Sequence, residues 1–226
     1  MPDILETLDI ITGPEPQAAV IWMHGLGADA HDFEPAVPAL APGTDVPVRF
    51  VFPDAPRLPV TINGGAVMPA WYDIVGFGDA APQDLQGIRS SAAAIEQLIG
   101  REQARGIPAE RIVLAGFSQG GAMALHTALR FSARLAGVVA LSCYLPVSDT
   151  FAAEAQPANA ATPVFMAHGE YDPVVDPRRG QASMALLRAA GYPVRWHTYP
   201  MPHSVVVEEL ADVREFLIEV LSPPVT

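Results

Sequence analysis

The sequence predicts an α/β protein in which a mostly parallel central sheet is covered by helices on both faces. Short apolar runs alternate along the chain with longer segments whose apolar residues recur at helical spacing. Clusters containing histidine, serine or aspartate directly follow several of the apolar runs. Such alternation is typical of a parallel sheet between two helical layers, and functional residues in these sheets gather where the strands end.

Each element has its own signal in the sequence. The apolar runs predict strands over residues 18–23, 48–52, 112–115, 137–143, 164–167 and 194–199. A helix is predicted over 85–105, with Asp84 as N-cap and Gly106 as the C-terminal stop. Good helix formers predict a second helix over 122–129, and apolar residues on one face predict a last helix over 204–221. The 226 residues suit a single domain, 1–226, with a full apolar core.

Composition excludes several classes of function. Half of the residues are apolar and 17% are charged, which excludes disorder. The net charge is −12, all 13 basic residues are arginine and none of them form a basic run, so nucleic acid is not an expected partner. We expect no membrane-spanning helix, because no apolar run reaches about 18 residues. Residues 1–6 are acidic rather than basic and do not resemble a secretory signal, so the expected location is cytoplasmic.

The stretch 116–121, Gly-Phe-Ser-Gln-Gly-Gly, places Ser118 between glycines, after a predicted strand and before a predicted helix. A turn this sharp requires a strained serine backbone and leaves no room for Cβ atoms at Gly116 and Gly120. The hydroxyl then stands at a helix N-terminus, which favours developing negative charge. This pattern predicts a nucleophilic serine.

A serine nucleophile needs a histidine base that is oriented by a carboxylate. Of the six histidines, His203 lies on a loop after the last predicted strand, whereas His24 and His168 precede glycines and are expected to shape the backbone. Asp172 follows the strand at 164–167, and spacing alone leaves Asp176 open as the carboxylate. Ser118, an aspartate and His203 thus occur at three separate strand ends in the order nucleophile, acid, base.

An acyl-transfer site also needs hydrogen-bond donors for the oxyanion. The backbone N–H of Gln119, directly after the serine, is one candidate, and the N–H of Leu26 in the glycine-rich loop after the first strand is the other. Cys143 is the only cysteine and is expected to be a buried strand residue, so a disulfide or a cysteine nucleophile is not expected.

With these motifs assembled, the chain resembles the acyl-protein thioesterase and carboxylesterase family of small α/β-hydrolases. The resemblance runs through nearly the whole chain and rests on five ordered motifs at residues 22–29, 68–73, 116–121, 168–175 and 201–204. It implies a Ser118–Asp172–His203 triad, which selects Asp172 over Asp176, and an oxyanion hole at Leu26 and Gln119.

The resemblance also places residues 60–71 in a loop beside the acyl-binding groove. Gly64 and Gly65 permit a mobile loop, and Met68 and Trp71 are the residues expected to present apolar surface to an acyl chain. Tyr72 stands where family members often carry phenylalanine, a difference from which the sequence alone predicts no change of function.

The main functional expectation is a serine carboxylesterase, without metal or cofactor, that hydrolyses small-molecule esters or thioesters of short to medium acyl chains. The alternatives are an acyl-protein thioesterase or lysophospholipase acting on long chains, hydrolysis of amides or lactones by the same acyl-transfer machinery, and a non-catalytic α/β-hydrolase that binds an acyl ligand or a protein. A homodimer is left open.

Overall fold

The structure is a computed structural model that describes residues 5–43, 46–76, 78 and 81–222. The first four residues of the N-terminal stretch considered above lie outside this part of the chain. The strands of the described chain are β1 (Thr7–Ile11), β2 (Ala18–Met23), β3 (Val48–Pro53), β4 (Arg57–Val60), β5 (Ala66–Pro69), β6 (Ile112–Phe117), β7 (Gly137–Leu141), β8 (Val164–Gly169) and β9 (Val194–Tyr199). The α-helices are α1 (Val37–Leu40), α2 (Leu85–Ala104), α3 (Gln119–Arg130), α4 (Phe151–Glu154), α5 (Pro177–Ala189) and α6 (Val207–Leu221).

Within the described residues, seven strands form one sheet in the order β1-β3-β2-β6-β7-β8-β9. All neighbouring pairs are parallel except the edge strand β1, which runs antiparallel to β3. Central strands such as β2 and β7 are buried at every residue, which explains why they read as continuous apolar runs. The strands β4 and β5 form a separate two-stranded hairpin.

Two apolar cores lie on opposite faces of the sheet. On one face the sheet packs against α2 and α3, with α5 beside β8, through side chains such as Ile95 and Met123. On the other face it packs against α1 and α6, through side chains such as Leu40 and Phe216. The predicted α/β sandwich is confirmed, and the last helix begins at Val207 rather than at 204.

The predicted ends of α2 are also confirmed. The Asp84 carboxylate accepts a hydrogen bond from the Gly87 N–H at 2.9 Å, and Gly106 follows the helix with a positive φ of 93°. A Cβ at position 87 would lie 2.1 Å from an Asp84 carboxylate oxygen, so this glycine leaves room for the cap.

No helix in the described part of the chain is both long and apolar enough to cross a membrane.

Candidate active site

Ser118 lies in the sharp turn between β6 and α3. Its φ of 54° and ψ of −120° are strained for a residue with a side chain. A Cβ at Gly116 would lie 2.4 Å from the carbonyl carbon of Gly120, and a Cβ at Gly120 would lie 2.1 Å from the carbonyl oxygen of Met23. The predicted turn, with a strained serine and two glycines that make room for it, is therefore confirmed.

The serine, the histidine and Asp172 form one hydrogen-bonded chain. The Ser118 Oγ lies 2.9 Å from His203 Nε2, and His203 Nδ1 lies 2.6 Å from Asp172 Oδ2. A neutral imidazole that donates from Nδ1 to the carboxylate leaves Nε2 free to accept the serine proton. Asp172 is buried, whereas Ser118 and His203 are partly exposed at the end of the sheet. This arrangement can take a proton from a serine hydroxyl and hold it on the imidazole.

Asp172 is held from two sides. Its Oδ1 accepts the backbone N–H groups of Val174 at 2.8 Å and Val175 at 2.9 Å. Its Oδ2 lies 3.3 Å from Nε2 of His168, and the same nitrogen lies 2.9 Å from the carbonyl oxygen of Val175. Because both neighbours of Nε2 are acceptors, this nitrogen carries the proton. Burial lowers the pKa of the His168 side chain, so that it is neutral near pH 7.

Sequence reasoning expected His168 only to shape the backbone and so missed its contact with Asp172. The one sequence signal for this contact was the spacing of four residues between His168, near the end of β8, and Asp172.

Asp176 belongs to a different interaction. Its carboxylate caps the N-terminus of α5 through the backbone N–H of Arg178 at 2.9 Å and pairs with the Arg178 guanidinium. These hydrogen bonds lower the pKa of Asp176 to about 2. The structure thus brings Asp172, and not Asp176, to His203.

Both predicted oxyanion residues lie at the serine. Leu26 and Gln119 line the same cavity as Ser118. Gln119 is the first residue of α3, so its backbone N–H is one of those for which a helix provides no acceptor. The loop of Leu26 is tied to the hairpin, because the N–H of Gly27 donates to the carbonyl oxygen of Pro69 at 2.9 Å.

The side chain of Gln119 fixes the segment after the hairpin. Its Oε1 accepts the backbone N–H of Trp71 at 2.8 Å, and its Nε2 donates to the carbonyl oxygen of Tyr72 at 2.7 Å. The indole N–H of Trp71 donates to the carbonyl oxygen of His24 at 2.9 Å, directly before the Leu26 loop. The His24 ring in turn accepts the backbone N–H of Ala55 at 3.1 Å. These contacts join the Leu26 loop and Gln119, the two predicted oxyanion residues, into one buried framework, which the sequence did not reveal.

The two residues expected to present apolar surface to an acyl chain do not line the cavity in the described structure. Trp71 is only 1% exposed, and its indole N–H donates to the carbonyl oxygen of His24, just before the loop that carries Leu26. Met68 is half-buried on the hairpin, where its sulfur faces Gly27 and accepts a hydrogen bond from the Asn63 amide at 3.3 Å. In the described structure the indole N–H of Trp71 is bound by backbone and the Met68 sulfur by the Asn63 amide, so contact of either side chain with an acyl chain stays a prediction.

A cavity of about 310 Å³ opens beside Ser118. Its apolar wall includes Leu26, Ile62, Tyr72, Ile74, Phe117 and Val174. A broader groove of about 1090 Å³ adjoins the cavity and shares Gly78, Gln83, Tyr144, Val174 and Arg179 with it. An apolar chain attached to Ser118 could therefore occupy the cavity and continue into the groove.

Cys143 is 2% exposed and lies just beyond β7, in the cavity wall. Burial raises the pKa of its thiol far above the ordinary value, so it remains protonated and a poor nucleophile. Its predicted burial is confirmed, but the strand ends two residues earlier, because Ser142 turns the backbone with a φ of 48°.

Residues 7–221 match the phospholipase/carboxylesterase family. The chain belongs to this family. Among similar curated proteins, acyl-protein thioesterase 1 of Gibberella zeae is 44% identical over 215 residues, which cover 91% of this chain and 92% of that protein. The family assignment predicted from the sequence is thereby confirmed, and the protein is a serine hydrolase.

Solved structures of similar proteins include SOBER1 of Arabidopsis thaliana, with a TM-score of 0.85, 29% identity and coverage of 91% of this chain and 99% of that chain. Acyl-protein thioesterase 2 of Zea mays has a TM-score of 0.83 and 29% identity, and the match covers 95% of this chain and 99% of that one. The α/β-hydrolase fold of this family member is therefore established.

Proposed function

We propose that the protein is an acyl-protein thioesterase that hydrolyses acyl thioesters, and the corresponding oxygen esters, through an acyl-enzyme on Ser118. The hydrogen-bonded chain from Ser118 through His203 to Asp172, at the mouth of an apolar cavity, carries this proposal. The names of the fungal and plant relatives favour this alternative over our main sequence-based expectation of short-chain and medium-chain esters.

In the first half of the reaction, His203 Nε2 takes the proton of Ser118 while Oγ attacks the carbonyl carbon of the substrate. Asp172 holds the imidazole in the tautomer with the proton on Nδ1 and stabilises the imidazolium that forms. His203 then returns the proton to the departing thiol or alcohol. In the second half, the same histidine activates water, which releases the acid and restores the serine.

The tetrahedral intermediates carry a negative oxygen, which the backbone N–H groups of Leu26 and Gln119 would bind. One such donor is typically worth about 3–4 kcal/mol of transition-state stabilisation. The buried hydrogen bonds from Gln119 to the Trp71 segment, and from Trp71 to His24, support this role because they hold both donors in place before substrate binds.

The same cavity supports the choice of an acyl substrate. Its apolar wall lies beside the nucleophile, where the acyl chain of the intermediate would be attached. A long chain needs more space than the cavity provides, and the adjoining groove offers a continuous path for it. The leaving peptide or alcohol would remain on the solvent side of Ser118.

The decisive experiment measures hydrolysis of an S-palmitoyl peptide, an S-octanoyl peptide and the matching oxygen esters. Ser118→Ala should lower turnover of all of them by about 10⁶-fold, the scale on which loss of a triad nucleophile acts. Ser132→Ala, which removes an exposed hydroxyl outside the site, is the matched control and should keep full activity. Activity only toward short oxygen esters would restore the original carboxylesterase expectation. Failure of the wild type to react with a fluorophosphonate probe would favour a non-catalytic binding protein.

A further inference from the structure

The cavity beside Ser118 and the adjoining groove meet at a wall that both share. The residues that line both spaces are Gly78, Gln83, Tyr144, Val174 and Arg179. Tyr144 and Arg179 carry the largest side chains of this set, and both residues are partly exposed. An acyl chain that is too long for the cavity reaches the groove past this wall.

The side chains of Tyr144 and Arg179 are in contact with each other. The guanidinium carbon of Arg179 lies 3.5 Å from the centre of the Tyr144 ring. This is a cation–π contact at van der Waals distance, so no methylene group fits between the ring and the guanidinium. A chain that passes at this point has to separate the two side chains.

The backbone that carries the pair is held in place. The N–H of Leu145 donates to Ser183 Oγ at 2.9 Å, and the Ser183 hydroxyl donates to the carbonyl oxygen of Arg179 at 2.8 Å. This buried serine ties the residue after Tyr144 to the first turn of α5. Room for a chain therefore has to come from the two side chains and not from movement of the backbone.

The other side chains of the shared wall are held by contacts of their own. The Gln83 side-chain oxygen accepts the N–H of Val147 at 2.9 Å. The backbone N–H of Val174 donates to the Asp172 carboxylate at 2.8 Å, so a shift of Val174 would disturb the triad. Separation of Tyr144 from Arg179 disturbs neither of these hydrogen bonds.

We propose that the Tyr144–Arg179 pair determines how the protein discriminates between acyl chains of different length. A chain that ends inside the cavity leaves the pair intact, whereas a longer chain separates the guanidinium from the ring and loses the interaction between them. This proposal rests on the proposed function, because it concerns the acyl group that is transferred to Ser118. Loss of the pair should change the preference for chain length and not the reactivity toward short chains.

The test uses one peptide carrying S-acyl groups from butanoyl to palmitoyl. For each enzyme, kcat/KM for every chain is divided by kcat/KM for butanoyl, which cancels general effects on catalysis. Arg179→Met removes the cation and keeps an unbranched side chain. It should raise the relative kcat/KM for palmitoyl by about 3- to 10-fold over the wild type, the value of a partly desolvated cation–π contact. The rise should begin at one chain length and be absent below it.

Arg178→Met is the matched control. Arg178 lies on the same helix, pairs with Asp176 and lines the groove, but it is not among the described residues that line the cavity. This variant removes the same charge and should keep the wild-type profile. Tyr144→Leu removes the ring and should give a rise similar to that of Arg179→Met. Because each change alone already breaks the contact, the double variant should show no further rise.

Wild-type profiles in both Arg179→Met and Tyr144→Leu would overturn the proposal and leave the proposed function intact. An equal rise in Arg178→Met would assign the effect to net charge, and additive rises in the double variant would show that the two side chains do not act as a pair. Either result would also overturn the proposal. Failure of the wild type to hydrolyse any of the thioesters would instead contradict the proposed function.

Discussion

Replacing His168 by leucine should lower kcat by about 10-fold and leave KM nearly unchanged. The His168 Nε2 proton lies between two acceptors, Val175 O at 2.9 Å and Asp172 Oδ2 at 3.3 Å. A hydrogen bond to a charged group is worth about 1.5–3 kcal/mol, and because this one is long and shared, the lower figure applies. About 1.4 kcal/mol corresponds to a tenfold change in rate. KM should not change, because His168 does not line the cavity in the described structure.

The matched control is His168→Gln, whose amide nitrogen can reach the position of Nε2 and restore the donor. Loss of Nδ1 leaves nothing unpaired, because that atom has no hydrogen-bond partner in the described structure. His168→Leu also removes the donor to the Val175 carbonyl oxygen, so it should lower the melting temperature more than His168→Gln does. Steady-state kinetics with one activated ester, together with thermal unfolding, measure the two effects separately. Wild-type kcat in His168→Leu would refute a role in orienting Asp172. Equal losses in both variants would assign the effect to packing instead of to the hydrogen bond.

Two further predictions concern stability. Gly120→Ala places a Cβ 2.1 Å from the carbonyl oxygen of Met23 and should abolish activity and lower the melting temperature. The control Gly100→Ala has open space around it and should raise the free energy of unfolding by about 0.5–1 kcal/mol. Wild-type activity and melting temperature in Gly120→Ala would contradict the close packing of the serine turn. Burial raises the pKa of Glu209 to about 8, so the folded protein binds a proton that the unfolded chain releases above its ordinary carboxyl pKa, and stability should fall as pH rises from about 4.5 to about 8. Glu209→Gln should flatten that decline in melting temperature, and identical pH profiles for variant and wild type would refute the assignment.

The elements that the sequence predicted best are those whose signal is local. The central strands are buried along their whole length and therefore form uninterrupted apolar runs. The helix α5 was missed because its buried positions are Gly180, Ser183 and Leu187, of which only the leucine is a large apolar residue, so the periodic signal is weak. The edge strand β1 was missed for a related reason, since its five residues are only partly buried or exposed.

In the site, too, the residues with a local sequence signal were predicted and those that depend on long-range contacts were not. Ser118, Asp172 and His203 follow strands. Their order along the chain points to a nucleophile, an acid and a base, and the family resemblance was needed to select Asp172 over Asp176. The residues that support the site give no local sequence signal, because their hydrogen-bond partners are distant in the chain. The Gln119 side chain bonds to Trp71, which is 48 residues away, and the Trp71 indole bonds to His24, which is 47 residues away. Trp71 was expected at the acyl groove because the family resemblance places residues 60–71 beside it. A buried indole also needs an acceptor for its N–H, and the backbone of His24 provides it.

The most direct test of the central claim is to trap the acyl-enzyme. The protein is mixed with an excess of an S-octanoyl peptide, quenched in acid during turnover, digested and analysed by mass spectrometry. The account predicts an octanoyl group on the peptide that contains Ser118, and no such group in Ser118→Ala. Hydrolysis that continues at the wild-type rate in Ser118→Ala, or an acyl group found on Cys143 instead, would contradict it.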